Sequence, residues 1–289
     1  MNKIKKIIKK VFSLIFPAPV VKAEITCLSA NELLKGRTAL ITGGTSGIGF
    51  QIARSYLNSE CKVIITGRSQ ERLDIAYNKL VAENPNWKNR LCSCEMDVSK
   101  VSSINSIVDE LVRKVGRIDI LVNNAGLEGG HINTCSEEEF EKIFDTNVKG
   151  IFFLSRYIGR YMKENNIKGN ILNICSSSSL RPANSAYTLS KWSVRGLPEG
   201  LARMLIPYGI VVNGIAPGMT ATPMLDKNGV DDDLYLNESL TKRYAIPEEI
   251  SNMAVILVSN MSRMIVGDII YMTGGSGIIY HEDVNYNFD

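Results

Sequence analysis

The feature that most restricts the fold of this sequence is a regular alternation of short β-rich runs with helical patterns, starting at Lys35. Candidate strands fall at 38–42, 62–66, 91–95, 118–123, 170–175, 210–215 and 268–272, and helical patterns lie near 47–58, 69–83, 101–115, 137–165, 187–206 and 248–259. Such alternation requires crossover connections, so neighbouring strands run parallel beneath helices on both faces. The sequence therefore predicts an α/β fold, a single doubly wound, mostly parallel, seven-stranded sheet.

The first predicted strand leads into a glycine-rich turn, Thr42-Gly43-Gly44-Thr45-Ser46-Gly47-Ile48-Gly49, and then into an apolar helix. Glycines let the backbone turn tightly and approach a pyrophosphate, whose charge is favoured by the free N–H groups at a helix start. The spacing differs from the commoner G-x-G-x-x-G, but strand, turn and helix follow in the required order. We predict a dinucleotide site here, with a flexible loop as the alternative.

A second motif, Tyr187-x-x-x-Lys191, lies in a predicted helix. Side chains four residues apart share one helix face, about 5–6 Å apart at Cβ. A lysine ammonium beside a phenol favours the ionised phenol, which suits tyrosine to acid–base chemistry. Ser176 follows the apolar run of the fifth predicted strand, so its hydroxyl lies at the carboxyl end of that strand. Taken alone, Tyr187 and Lys191 could instead be an exposed helical pair.

In their joint order these motifs resemble the short-chain dehydrogenase/reductase family over about residues 35–275. The matching pieces are the turn at 42–49, Asp97-Val98, Asn123-Asn124-Ala125-Gly126, Asn147, Ser176, Tyr187-x-x-x-Lys191 and Pro217-Gly218. The resemblance implies that Asp97 and Val98 contact adenine and that the turn at 123–126 supports the central strand beside the cofactor. It also implies that Pro217, Gly218 and Thr222 border the nicotinamide. Capping or turn roles are the alternatives.

The resemblance further implies an oxidoreductase of the carbonyl or 3-oxoacyl reductase type, which transfers a hydride between a nicotinamide cofactor and a carbonyl or secondary alcohol. Tyr187 would donate the proton and Ser176 would hydrogen-bond the carbonyl oxygen. Lys191 would hold the nicotinamide ribose, and Asn147 would hold a water that relays protons. Two alternatives stay open: a sugar-nucleotide epimerase or dehydratase, and a sensor that binds NADP without turnover.

The end of the second predicted strand predicts a preference for NADPH over NADH. Enzymes that prefer NAD usually carry an acidic residue about 20 residues beyond the glycine turn, but this chain has Gly67 there, followed by Arg68. A guanidinium can pair with the 2′-phosphate through two parallel hydrogen bonds. Because Ser46 is neutral, we expect a moderate preference, with NAD(H) as an alternative cofactor. Arg68 could instead cap the next helix or face solvent.

Charge separates a leader and linker, residues 1–34, from the domain at 35–275. Residues 1–24 carry six lysines against Glu24, in a chain whose net charge is +3. The domain itself is therefore not basic, and no nucleic-acid partner is predicted. The leader has the pattern of an amphipathic basic helix, which predicts peripheral contact with a membrane; a solvated tail and a secretory signal are the alternatives. We expect a cytoplasmic protein, peripheral on a membrane if the leader binds one.

The remaining expectations concern metal, assembly and substrate. Six cysteines without paired spacing and two histidines predict a reducing compartment and no metal site. Pro198 should kink the helix at 187–206 or mark a bend in it. The resemblance implies a homo-oligomer, usually a tetramer, with this helix at the subunit interface; because the proline would change that interface, we expect either a dimer or a tetramer. A predicted lid at 219–245 carries polar residues that could face either a sugar or water, namely Asp226, Lys227, Asp231, Asp232, Asp233, Tyr235, Asn237 and Lys242. With a flexible wall at 129–131, it is compatible with an acyl thioester, a keto sugar or a small ketone as substrate. A C-terminal tail follows at 276–289, longer than the resemblance implies.

Overall fold

The structure of the chain, a computed structural model, describes residues 32–227 and 233–276. Its strands are β1 (Thr38–Thr42), β2 (Lys62–Gly67), β3 (Leu91–Glu95), β4 (Ile120–Asn123), β5 (Asn170–Ile174), β6 (Val211–Pro217) and β7 (Ile269–Met272). They form one sheet in the order β3-β2-β1-β4-β5-β6-β7, and every pairing between them is parallel. The predicted fold class is confirmed. The order reverses beside β1, where doubly wound sheets bind ligands at the carboxyl ends of their strands.

Helices cover both faces of this sheet. They are α1 (Gly47–Asn58), α2 (Gln70–Glu83), α3 (Val101–Val115), α4 (Glu137–Phe144), α5 (Ile151–Glu164), α6 (Ala186–Arg195), α7 (Leu197–Leu205) and α8 (Pro247–Val258). Successive strand residues point to opposite faces. Ile41 and Ile65 accordingly pack in one buried cluster with α1, α2 and α8, whereas Leu40 and Ile64 pack in a second cluster with α3, α5 and α7. Burial on both faces explains why the central strands β1 and β4 are rich in Ile, Leu and Val.

Two predicted helices are interrupted. The pattern at 137–165 is broken by a π-helical turn, Asp145–Gly150, between α4 and α5. The pattern at 187–206 is divided at Gly196, where α6 ends and α7 begins with Pro198 in its first turn. The second break confirms the predicted effect of the proline, because its ring removes a backbone donor. Elsewhere the strand and helix ends lie within two residues of the prediction.

A half-buried arginine, Arg37, links several elements at the amino ends of the strands, on the side of the sheet opposite the site. Arg37 donates to Val258 O, to Asn170 Oδ1 at 2.7 Å and to Asp119 O at 3.2 Å. Thr38 N donates to Asp119 Oδ2 at 2.9 Å. Burial lowers the pKa of the Arg37 guanidinium, and the Asp119 carboxylate offsets part of that effect. These bonds join β1, β4, β5 and the end of α8 at one point.

The leader and nearly all of the predicted tail lie outside the described residues, so their predicted roles stay predictions. Within the described part, no helix is both long and apolar enough to cross a membrane.

Candidate active site

A cleft of about 790 Å³ opens at the carboxyl ends of the strands, from β1 to β6. Most of the predicted site residues line it, namely Gly43, Thr45, Ser46, Gly47, Ile48, Arg68, Val98, Asn124, Ala125, Gly126, Ser176, Tyr187, Lys191, Pro217, Gly218 and Thr222. Thr42, Gly49, Asp97 and Asn147 lie outside this lining. Residues from most of the parallel strands therefore converge on one site, although they are far apart in sequence.

The two turns after β1 and β4 are hydrogen-bonded to each other. Thr42 Oγ1 accepts from Asn124 N at 2.9 Å and from Ala125 N at 3.0 Å, and Asn124 Nδ2 donates to Gly43 O at 3.0 Å. A Cβ on Gly49 would stand 2.3 Å from both Gly43 O and Asn124 Nδ2, so only glycine fits there. Thr42 and Gly49 thus shape the cleft from behind its wall.

The N-terminus of α1 faces the cleft with its backbone. Ser46, Gly47 and Ile48 line the cleft, and the Ser46 side chain makes no capping hydrogen bond to the helix. Gly43 and Gly47 both have positive φ, 64° and 55°. The first amide N–H groups of a helix attract an anion, and no side chain competes for them here. The turn therefore fits the pyrophosphate of a dinucleotide.

Tyr187 and Lys191 project from the first two turns of α6. Lys191 is buried, its Nζ donates to Ile174 O at 3.2 Å, and it lies 5.7 Å from the centroid of the Tyr187 ring. Ser185 caps this helix by accepting from Thr188 N at 3.1 Å. A cation is thus held beside the phenol at the end of β5.

Ser176 lies where β5 ends and a serine-rich 3₁₀ turn, Ser177–Leu180, begins. Its Oγ accepts from Ser178 N at 3.1 Å, so its own hydroxyl hydrogen stays available. Its carbonyl oxygen accepts from Ser179 Oγ at 2.7 Å. Ser177 and Ser178 also line the cleft, whereas Ser179 does not.

Asn147 lies in the π-helical turn and is fully buried. Its Oδ1 accepts from Leu127 N at 2.8 Å, and its Nδ2 donates to Leu127 O at 2.8 Å and to Ser190 Oγ at 2.9 Å. The amide thereby fixes the backbone of the loop after β4, which lines the cleft. Single π turns within helices are frequent at functional sites. Asn147 therefore joins that loop to α6.

Of the two residues predicted to contact adenine, only Val98 lines the cleft. Asp97 Oδ1 accepts from Ser99 N at 3.0 Å and from Ser99 Oγ at 2.7 Å, which is the turn role named as the alternative. Val98 is buried and lines the cleft.

The part of the cleft that follows β2 carries two guanidinium groups. Arg68 is exposed and lines the cleft together with Arg72 from the first turn of α2. Ser69 caps that helix, accepting from Arg72 N at 3.3 Å. A Cβ on Gly67 would stand 3.0 Å from Thr45 Cγ2, so a larger side chain there would require Thr45 to move. Sequence reasoning missed Arg72; its spacing four residues after Arg68 was the available signal.

The catalytic end of the cleft has charged residues that the sequence did not reveal. Arg181 and Glu128 line it, whereas none of residues 129–131 does. Of the polar lid residues predicted to face a substrate, those that the structure describes, such as Asp226 and Lys227, do not line it either. The lid contributes Met219, Thr220, Thr222, Pro223, Met224 and Leu225 instead. Burial raises the pKa of the Glu128 carboxyl, and nearby Asp226 raises it further.

Cys175, next to Ser176, also lines the cleft, and burial raises the pKa of its thiol to about 11. Within residues 32–227 and 233–276, no cluster of metal-ligating side chains occurs.

The geometry defines a nicotinamide-dependent oxidoreductase: a glycine turn for a dinucleotide beside a tyrosine, a lysine and a serine. The family described as short chain dehydrogenase matches residues 37–233, and the chain belongs to that family. It is an NAD(P)-dependent short-chain dehydrogenase/reductase acting on carbonyl or alcohol groups.

Relatives of known activity agree. Gluconate 5-dehydrogenase of Gluconobacter oxydans is 32% identical over 248 residues, which cover 84% of this chain and 95% of that enzyme. The 3-oxoacyl-(acyl-carrier-protein) reductase of Thermotoga maritima is 32% identical over 247 residues, covering 84% of this chain and 98% of that one. The crystal structure of 3-ketoacyl-(acyl-carrier-protein) reductase from Brucella melitensis, complexed with NADH, is 28% identical, with a TM-score of 0.75 over 84% of this chain and 99% of that one.

Proposed function

We propose that this enzyme reduces a carbonyl compound with NADPH, and that Tyr187 donates the proton to the carbonyl oxygen. The observation that carries the proposal is the convergence of Ser176, Tyr187 and Lys191 on one wall of the cleft that contains the glycine turn. The nicotinamide, when bound, supplies the hydride that reaches the carbonyl carbon.

The chain's own groups would hold the carbonyl and move the proton. The Ser176 hydroxyl donates to the carbonyl oxygen, since its oxygen already accepts from Ser178 N. Tyr187 transfers its phenolic proton to that oxygen as negative charge develops there. Lys191 stabilises the resulting phenolate. One of its three hydrogens is bound to Ile174 O, which leaves two for the cofactor ribose.

Asn147 enters the proposal as a positioning residue. All three contacts of its side-chain amide go to Leu127 and Ser190. We infer that it holds the loop at 124–127 against the cofactor. The earlier expectation, that Asn147 holds a relay water, stays a prediction.

Exchange of Tyr187 for phenylalanine tests the mechanism. We expect Tyr187→Phe to lower kcat by about 10²–10⁴ and to leave the dissociation constant for NADPH unchanged, because the glycine turn is untouched. Tyr208→Phe, the same change at an exposed tyrosine outside the cleft, should keep wild-type activity. Retention of more than about a tenth of the wild-type rate by Tyr187→Phe, where that principle predicts at least a hundredfold loss, would exclude Tyr187 as the proton donor.

The preference for NADPH is supported by Arg68, by Arg72 beside it and by the absence of an acidic side chain at Gly67. Ser69 rather than Arg68 caps α2, which argues against the capping alternative. We expect kcat/KM to favour NADPH over NADH, and Arg68→Asp to reverse that preference mainly through KM, because a carboxylate repels the 2′-phosphate. Arg113→Asp on α3 is the matched control. A wild-type preference for NADH would refute this part of the proposal.

Assembly and location complete the proposal. We infer a homo-oligomer from large apolar side chains exposed on and around α6 and α7, among them Trp192, Met204 and Met264. Light scattering on the full chain tests it, and a monomer at micromolar concentration would contradict it.

We also infer a cytoplasmic enzyme whose residues 1–24 contact anionic membranes. Salt-sensitive binding of the full chain to anionic vesicles, lost when the leader lysines are exchanged for glutamine, tests that contact.

A further inference from the structure

Arg181 is a charged group of the cleft that the proposed reaction does not use. Its side chain is exposed and lines the same cleft as Ser176 and Tyr187. One guanidinium nitrogen donates to Ser276 Oγ at 3.3 Å, which is a neutral partner. Among the described residues, no carboxylate forms an ion pair with Arg181. Its positive charge is therefore left for a ligand.

The backbone of Arg181 is fixed to both parts of the reaction centre. Arg181 N donates to Ser178 O at 3.2 Å, within the turn that Ser176 begins. Arg181 O accepts from Trp192 Nε1 at 2.9 Å, on the helix that carries Tyr187. The backbone from which the guanidinium extends is therefore held by the turn that begins at Ser176 and by α6, which carries Tyr187.

A carboxylate lies on another side of the same centre. Glu128 lines the cleft from the loop after β4, whereas the Arg181 side chain reaches Ser276, which follows β7. In the strand order β4-β5-β6-β7, the end of β5 with Ser176 lies between these two positions. An anionic group on a bound carbonyl compound would be repelled by Glu128 and attracted by Arg181. The charges therefore favour one orientation of such a substrate.

We propose that Arg181 binds an anionic group of the substrate, so that the enzyme reduces carbonyl compounds bearing a carboxylate or a phosphate in preference to neutral ones. The inference rests on the proposed reductase function. A guanidinium matches both anions through paired, charge-assisted hydrogen bonds. Lys191, another cation that lines the cleft, donates one hydrogen to Ile174 O, and the proposed mechanism assigns the other two to the cofactor ribose. The anionic group itself is unchanged in turnover.

Matched pairs of substrates test this preference. We would measure kcat/KM with NADPH for acetoacetate and methyl acetoacetate, levulinate and methyl levulinate, and dihydroxyacetone phosphate and dihydroxyacetone. The wild type should favour the charged member. Arg181→Gln should reduce that ratio by about 10- to 100-fold through KM, the range expected for hydrogen bonds to a charged group. Arg181→Lys should keep part of the preference, and Arg113→Gln, which removes a charge outside the cleft, should keep all of it.

Equal ratios in the wild type and Arg181→Gln would overturn the proposal, as would equal losses in Arg181→Gln and Arg113→Gln. A binding measurement separates this outcome from failure of the reductase function. In the Tyr187→Phe enzyme with NADPH bound, the charged member of a pair should bind at least about tenfold more tightly, and only while Arg181 is present. If both members bind equally tightly, or if neither binds, the proposal of an anion site at Arg181 is overturned. Full turnover by Tyr187→Phe would instead refute the catalytic mechanism and leave the charge ratio interpretable.

Discussion

Exchange of Asn147 for alanine should destabilise the fold and the cofactor site together. The substitution removes three hydrogen bonds of 2.8–2.9 Å from a fully buried side chain. Each such bond contributes about 0.5–1.5 kcal/mol, and a buried partner left without one costs about 1–3 kcal/mol. Ser190 keeps its bond to Tyr187 O at 2.6 Å, so the main cost falls on the Leu127 backbone. We expect a loss of about 2–4 kcal/mol in the free energy of unfolding.

Urea unfolding and fluorescence titration with NADPH measure the two effects. The dissociation constant for NADPH should rise at least about tenfold, which corresponds to 1.4 kcal/mol, because the loop held by Asn147 lines the cleft. Asn165→Ala removes the same amide from an exposed site, where its Nδ2 donates to Tyr161 O, and it should cost under about 0.5 kcal/mol. If Asn147→Ala kept wild-type stability and lost only kcat, our reasoning would be wrong and a water-holding role would be favoured.

Three further predictions concern other parts of the chain. Gly49→Ala should abolish cofactor binding in fluorescence titration, because the added Cβ would lie 2.3 Å from Gly43 O. The control is Gly200→Ala, where the added Cβ meets no atom within 4 Å; it should stabilise α7 by about 0.5–1 kcal/mol. Arg37→Met should lower the free energy of unfolding in urea by at least about 3 kcal/mol, because it removes the hydrogen bonds of Arg37 to three carbonyl groups. It should leave the KM for NADPH unchanged, because these bonds lie at the opposite end of the strands from the cleft. Activity should survive iodoacetamide at pH 8, because a Cys175 pKa of about 11 leaves roughly one thiol in a thousand ionised. Between pH 8 and pH 11, inactivation should become about tenfold faster with each pH unit. Rapid labelling of Cys175 at pH 8 would contradict this.

The fold could be predicted because its signals are local. The alternation of apolar runs and helical patterns required a parallel sheet, and β1, β3, α1 and α3 begin and end where the pattern predicted. The π-helical turn Asp145–Gly150 could not be predicted in this way. It accompanies the contacts of Asn147 with Leu127, a residue on a different loop, and no periodicity records such a contact.

The same distinction separates the two ends of the site. The glycine turn and the pair formed by Tyr187 and Lys191 are set by spacing within one element, so the sequence was sufficient to predict them. Arg181 and Glu128 reach the cleft only because their loops follow neighbouring strands. The polar lid residues predicted to face a substrate, such as Asp226 and Lys227, looked equally suitable, yet those that the structure describes do not line the cleft, whereas Thr220 and Thr222 do. Local spacing could therefore predict the glycine turn and the pair of Tyr187 and Lys191, whereas Arg181 and Glu128 required the fold.

The break before α7 also bears on how the catalytic groups keep their relative positions. Tyr187 lies on a helix of only ten residues, so its position is not fixed by continuity with a long helix behind it. That position is set by bonds to neighbouring loops. Tyr187 N donates to Gly129 O at 3.3 Å, and later residues of α6 donate to the serine-rich turn after β5 and the residue that follows it. Trp192 donates to Arg181 O at 2.9 Å and Arg195 to Ser179 O at 3.4 Å. Because both bonds end in or just after the turn that Ser176 begins, we expect the hydroxyl groups of Tyr187 and Ser176 to move as one unit. A proline in the following helix can therefore be tolerated, since displacement of α7 need not change the distance between these two hydroxyl groups.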